Sequence, residues 1–253
     1  MILDDILAAK RARLDRGEYG PVSPAAPAGD GAKFVASLTE PGVRIVAEIK
    51  RRSPSAGEIL PGADGKIETM ALAYRRGHAA ALSVVVEEDF FGGKPDWLVR
   101  ARDLSGLPTL LKDFIVSERQ LDFAVSLGAD AVLLIVRALS DADLLSLREA
   151  ARARNLAAVV EAHDAGELAR AAAVGPDVLG VNARDLDTFA TSLEALEAVA
   201  LRLAPGSLAM AESGVRSKAD IVRLTAAGYR AFLVGESLLR SEDPEGLLRE
   251  LRA

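Results

Sequence analysis

Short apolar runs recur along this 253-residue chain, each closed by a polar side chain and separated from the next by an amphipathic stretch. RIVAEIK, LLKDF, AAVVEA, VLGVNAR, LAMAESG and AFLVGES carry almost no alternation, the pattern of parallel strands covered on both faces. The spacing predicts strands at 44–49, 80–86, 108–112, 131–136, 157–161, 178–182, 208–212 and 231–235, with helical patterns between them, among them 141–154 and 218–227. Ser117, Ser140 with Asp141, and Ser217 stand where side-chain oxygens can cap the free amides of a starting helix. Eight such units in a chain of this length predict an α/β fold, a (β/α)8 TIM barrel. An open doubly wound sheet is the competing architecture, but no Gly-x-Gly-x-x-Gly follows a strand and no P-loop is present.

Two amphipathic segments precede the first strand. Ile2, Leu3, Ile6, Leu7 and Leu14 share one face of a helix running from Ile2 to about Arg16. Residues 17–31, rich in Pro, Gly, Ser and Ala, read as a connector, and a second helical piece spans Lys33 to Thr39 before Pro41-Gly42. Residues 1–42 are therefore expected to be an N-terminal helical extension and connector, most simply a lid over one end of the barrel domain at 43–253.

Composition narrows the partners. A net charge of −6 argues against a general nucleic-acid surface, so an anionic ligand must be gripped by a local pocket. Cysteine is absent, which excludes disulfides and thiol chemistry. No apolar segment is long enough to span a membrane and the start lacks the order of a signal peptide, so a cytoplasmic protein is expected. His78 and His163 lack a facial carboxylate set and make a poor metal site; neither a metal nor an organic cofactor is expected.

The polar residues at the strand ends carry the candidate chemistry. Glu48 and Lys50 are two apart, so an extended strand projects both to the same side, and a polar loop with Ser53 follows. Lys112, Glu161 and Asn182 end later strands, Arg184 repeating the two-residue spacing after Asn182, and functional groups in such barrels come from the ends of several strands at one face. Glu212-Ser213-Gly214 and Gly235-Glu236-Ser237 end the last two strands, where glycine amides and helix starts accommodate a phosphate.

EIKRRSPSAGEI, EEDFFGG, LLKDFIV, ADAVLLIV, VVEAHD, GVNARDLDTF, AESGV and FLVGESLLR resemble, in order, the motifs of the indole-3-glycerol-phosphate synthase family. The resemblance implies a carbon–carbon lyase of tryptophan biosynthesis. It would convert 1-(2-carboxyphenylamino)-1-deoxyribulose 5-phosphate to indole-3-glycerol phosphate with loss of carbon dioxide and water. Carried over by position, it makes Lys112 the general acid and Glu161 the general base, with Lys50 on the substrate carboxylate and Glu48, Asn182 and Glu212 holding hydroxyls and orienting the lysines. Ser213, Gly214, Gly235 and Glu236 would give amides to phosphate, Ser53 and Arg184 would lie near the anionic groups, and Phe91 and Phe114 would flank the aromatic ring. Leu111, Ala183 and Arg137 depart from the family's commonest residues without removing a proposed catalyst. The implied partner is a phosphorylated small molecule, with no nucleic acid and no membrane; contact with other tryptophan-pathway enzymes is a further expectation. The alternatives are another phosphosugar barrel enzyme, an isomerase or a lyase, and a noncatalytic phosphometabolite-binding barrel.

Overall fold

A computed structural model describes residues 2–20, 29–184 and 190–253. Part of the connector and the DLDTF segment after Arg184 lie outside the described residues. Eight parallel strands close into a barrel: β1 (Arg44–Ile49), β2 (Ala81–Val85), β3 (Thr109–Lys112), β4 (Ala131–Ile135), β5 (Ala157–Ala162), β6 (Val178–Asn182), β7 (Ala209–Glu212) and β8 (Ala231–Val234). Each pairs with the next in sequence, and β8 returns to β1 in the register Arg44↔Ala231 to Ala47↔Val234. The strands agree with the sequence pattern to within a residue at each end.

Two apolar clusters reflect the two faces of these strands. Ile45, Ala47 and Ile49 of β1, like Leu82, Val84, Val132, Leu134, Ala158 and Val160, face the ring of helices. Residues of the other parity, among them Val46, Ala81, Leu110, Leu133, Val159, Met210 and Leu233, fill the barrel interior. Ser117, Ser140 and Ser217 cap their helices through the amides of Arg119, Asp143 and Asp220, and Ser217 with Asp220 completes a capping box.

The N-terminal segment covers both ends of the barrel rather than one. Helix α1 (Ile2–Asp15) lies across the mouth formed by the carboxyl ends of the strands, where Ile2, Leu3 and Ile6 line the central cavity. Helix α2 (Gly31–Thr39) closes the opposite end: Phe34 and Leu38 are buried against Val46, Ala81, Leu110 and Ala157, and the Asp30 and Gly31 amides bond to Asp130 and Asn155, just ahead of β4 and β5. Both helices have an apolar face, and nothing in such a face says which end of a barrel it covers.

Candidate active site

A strand period of two that puts Val46, Leu110, Val159 and Met210 inside the barrel also puts Glu48, Lys112, Glu161 and Glu212 inside, one step closer to the mouth. These four come from β1, β3, β5 and β7. Alternate strands fill one layer of a TIM barrel, and here the top layer is three carboxylates and a lysine. Lys112 Nζ lies 3.2 Å from Glu161 Oε2 and donates to Glu212 Oε2 as well. Glu48 pairs instead with Lys50, Oε1 to Nζ 2.6 Å.

A glycine within β6 and one just after β8 leave room for these acids. A Cβ built at Gly180 in β6 would collide with Glu212 Oε1, and one built at Gly235 would lie 2.5 Å from Glu48 Oε1. Gly180 escapes a reading based on polar residues, although a glycine inside a strand signals close approach by a neighbour. Gly235 was expected to serve phosphate through its amide; its missing side chain also admits Glu48.

Burial sets the protonation states. The Lys112 ammonium is penalised by burial, but the carboxylates of Glu212, Glu161 and Glu48 outweigh that and hold it above the ordinary lysine range. Burial drives Glu212 up to about 8, with Glu161 adding to the rise and Lys112 opposing it. For Glu161, burial raises the pKa, yet Lys112 and His163 together leave it below the ordinary carboxylate range. The layer thus holds a protonated amine beside an ionised carboxylate at neutral pH, an acid and a base a few ångströms apart.

One cavity of about 550 Å³ gathers every site residue read from the sequence: Glu48, Lys50, Ser53, Phe91, Lys112, Phe114, Glu161, Asn182, Arg184, Glu212, Ser213, Gly214, Gly235 and Glu236 all line it. Phe91 and Phe114 face each other with ring centroids 6.0 Å apart. On the other side, Ser213 and Gly214 are both left-handed, φ 66° and 82°, turning the loop after β7 sharply beside the start of the short helix Glu236–Arg240. The Glu236 carboxylate is held by Arg240 at 3.0 Å. Arg184 reaches across to Ser55, Nη1 to Oγ 3.1 Å, and its amide bonds Asn182 Oδ1. Arg216 and Arg240 add polar lining that sequence reasoning did not single out, and Ser237 of the GES segment lines it too.

Lys10 also went unrecognised. It sits on the apolar face of α1 and is 1% exposed, with Asp113 at 2.7 Å, Glu87 at 3.4 Å and the Tyr19 hydroxyl at 3.2 Å. Glu87 accepts the amides of Asp89, Phe90 and Phe91, and Asp113 that of Phe114. One ammonium therefore fastens the roof to both loops that carry the facing phenyl rings. A lysine in the apolar stripe 3, 6, 7, 10, 14 was the available signal, since such a charge is buried only when paired. Breaking a buried pair costs about 3–5 kcal/mol. Lys10→Met is accordingly expected to raise KM at least roughly tenfold and to speed amide exchange over residues 2–15; unaltered KM and exchange would show that the roof is held elsewhere.

The family model for indole-3-glycerol phosphate synthase matches residues 3–251. The chain belongs to that family. Indole-3-glycerol phosphate synthase 2 of Streptomyces coelicolor is 43% identical over 241 residues, 95% of this chain and 93% of the relative. Indole-3-glycerol phosphate synthase of Koribacter versatilis is 44% identical over 210 residues, 83% of this chain and 80% of the relative. Among solved structures, a 3-hexulose-6-phosphate synthase superposes with a TM-score of 0.63 at 18% identity, covering 83% of this chain and 98% of that one, a likeness of fold alone. The activity that goes with membership of the indole-3-glycerol phosphate synthase family is that of a carboxy-lyase of tryptophan biosynthesis, and the isomerase and noncatalytic alternatives fall away. Of the positions that depart from the family's commonest residues, Leu111 and Ala183 are buried, and Arg137 turns from the cavity to Glu167, Nε to Oε1 2.7 Å. Among the described residues no helix is long and apolar enough to cross a membrane.

Proposed function

We propose that the top layer of the barrel performs the ring closure, with Lys112 as acid and Glu161 as base; the observation that carries this is the partly buried ammonium of Lys112 held between the buried carboxylates of Glu161 and Glu212. The substrate, 1-(2-carboxyphenylamino)-1-deoxyribulose 5-phosphate, has a phosphate at one end, a carboxylated aromatic ring at the other and a ketone between. The ring lies against the Phe91–Phe114 pair. The phosphate takes the amides around Ser213, Gly214, Gly235 and Glu236, whose side chain Arg240 holds, with Ser53 and Arg184 near the anionic groups. Lys50, kept in place by Glu48, meets the substrate carboxylate. Anchoring both ends bends the chain between them and brings the aromatic carbon to the ketone.

As the carbon–carbon bond forms, Lys112 protonates the oxygen that would otherwise become an alkoxide, an acid of value only if charged and close. Carbon dioxide leaves and the ring regains aromaticity. Glu161 then removes a proton as water departs and the pyrrole is completed, while Asn182 and Glu212 hold hydroxyls. Residues 1–42 act as an extension that roofs the bound substrate through α1. Cytoplasmic location and contact with other enzymes of the pathway belong to the same reading.

The direct test is a fluorescence time course of the purified protein with the anilino ribulose phosphate: indole product is expected without added metal or cofactor, and none would overturn the reading. The phosphate end is tested separately. At Gly214 φ is 82° and a Cβ would press on Leu193, so Gly214→Val must distort the loop. A non-glycine residue in a sparsely populated region costs about 1–3 kcal/mol; KM should rise roughly tenfold, and the preference for phosphate-bearing over dephosphorylated ligand should shrink. An unchanged preference would place the phosphate elsewhere.

A further inference from the structure

His163 stands behind Glu161, outside the side chains that line the cavity, in a line of charged groups that ends on the base. Its Nε2 is 3.6 Å from Glu161 Oε1, and its Nδ1 is 2.9 Å from Glu167 Oε2, which also accepts the His163 amide. Glu167 Oε1 receives Arg137 Nε at 2.7 Å. The imidazole is 4% exposed, and its Nε2 is buried without a hydrogen-bond partner. Such an atom costs free energy unless it serves a neighbour, and the group it faces is the Glu161 carboxylate.

We propose that His163 is a positioning residue for this reaction: held by Glu167, it presents a proton on Nε2 to the rear oxygen of Glu161 and keeps that carboxylate ionised and turned toward Lys112. The inference rests on Glu161 being the base. Lys112 occupies Oε2 of Glu161 from the cavity side and His163 faces Oε1 from behind, so the carboxylate lies between two cations. The charged groups around the imidazole are Glu161 on β5, Glu167 on the helix Ala165–Ala173, and Arg137 from the turn after β4, with Asp164 beside Arg137. Burial works against the imidazolium and Arg137 repels it, yet the bond to Glu167 and the field of Glu161 hold the His163 pKa above its ordinary value. Glu167 is drawn down to about 2, in spite of burial, by His163 and Arg137. Arg137 thus acts on the site through Glu167 rather than on the substrate.

The test is the pH profile of kcat/KM, whose acid limb follows ionisation of the base in the free enzyme. His163 favours the charged form of Glu161, so its loss must raise the Glu161 pKa and move the acid limb to higher pH. For His163→Gln the expected move is about one pH unit, the low end of what an opposite charge a few ångströms away produces. Glu167→Gln should move the limb in the same direction by less. If His163→Gln misfolds by circular dichroism, Glu167→Gln carries the test alone. In single-turnover measurements on a Glu161→Gln background, His163→Gln should cause no further loss. An acid limb left in place in both variants, or losses that simply add on that background, would overturn the proposal. Native-like turnover in Glu161→Gln alone would instead overturn the assignment of the base.

Discussion

Lys112→Ala should turn over about 10²–10⁴ times more slowly than the unaltered enzyme, the range for losing a positioned acid, with phosphate affinity nearly unchanged. Lys112 ends β3 in the interior layer and touches the end of β7 only through the Glu212 side chain, so its removal spares the backbone amides of the phosphate end. Its absence also changes the base. With no ammonium between them, Glu212, already drawn up to about 8, stays protonated, and Glu161 loses the largest charge that opposes its burial. Since Lys112 helps to hold the Glu161 pKa down, the acid limb of the residual activity should move to higher pH. Steady-state kinetics from pH 5 to about 9, with inorganic phosphate as a competing ligand, measure all three quantities. Turnover near that of the unaltered enzyme would sink the mechanism.

Glu161→Gln should separate two events that ordinarily run together. The amide fills the same space but cannot accept the proton lost as water departs, so completion of the indole should slow by about 10²–10⁴ while ring closure slows less. With a label on the substrate carboxylate, single-turnover experiments would follow carbon dioxide release beside indole fluorescence. Release running ahead of fluorescence is the expected result, and equal slowing of both would count against a base confined to the later step. Stability should change little near neutral pH, because Lys112 keeps its contact with Glu212.

The barrel was legible because its strands are covered on both faces and so are written as uninterrupted runs of Val, Ala, Leu and Ile. Their polar endings were legible for the same reason: a charge closing such a run is conspicuous, and Glu48, Lys112, Glu161 and Glu212 all stand out this way. Their grouping into one layer was not, since it depends on register around a closed sheet. Lys10 was missed because its partners, Glu87 and Asp113, are distant in sequence and meet it only through tertiary folding. The pattern of the extension fits a single lid equally well, because an apolar helix face is the same whether it covers the mouth, as α1 does, or plugs the far end, as α2 does. Arg137, a residue with no decided role in the sequence, was given its direction by Glu167 on the neighbouring helix.

The bare backbone at Gly180 ties two positions together in how this protein can change. Glu212 fits because position 180 offers nothing beyond its backbone, so the two positions form one unit of inheritance. An alanine at 180 would meet the far end of the Glu212 side chain first, so its methyl group would be accommodated by turning that carboxylate from its present place. A lineage, or an engineer, reshaping this wall at position 180 would therefore change the setting of the acid before it changed the strand. Substitution libraries that vary one position at a time would then record a change at 180 as a change in the acid it faces.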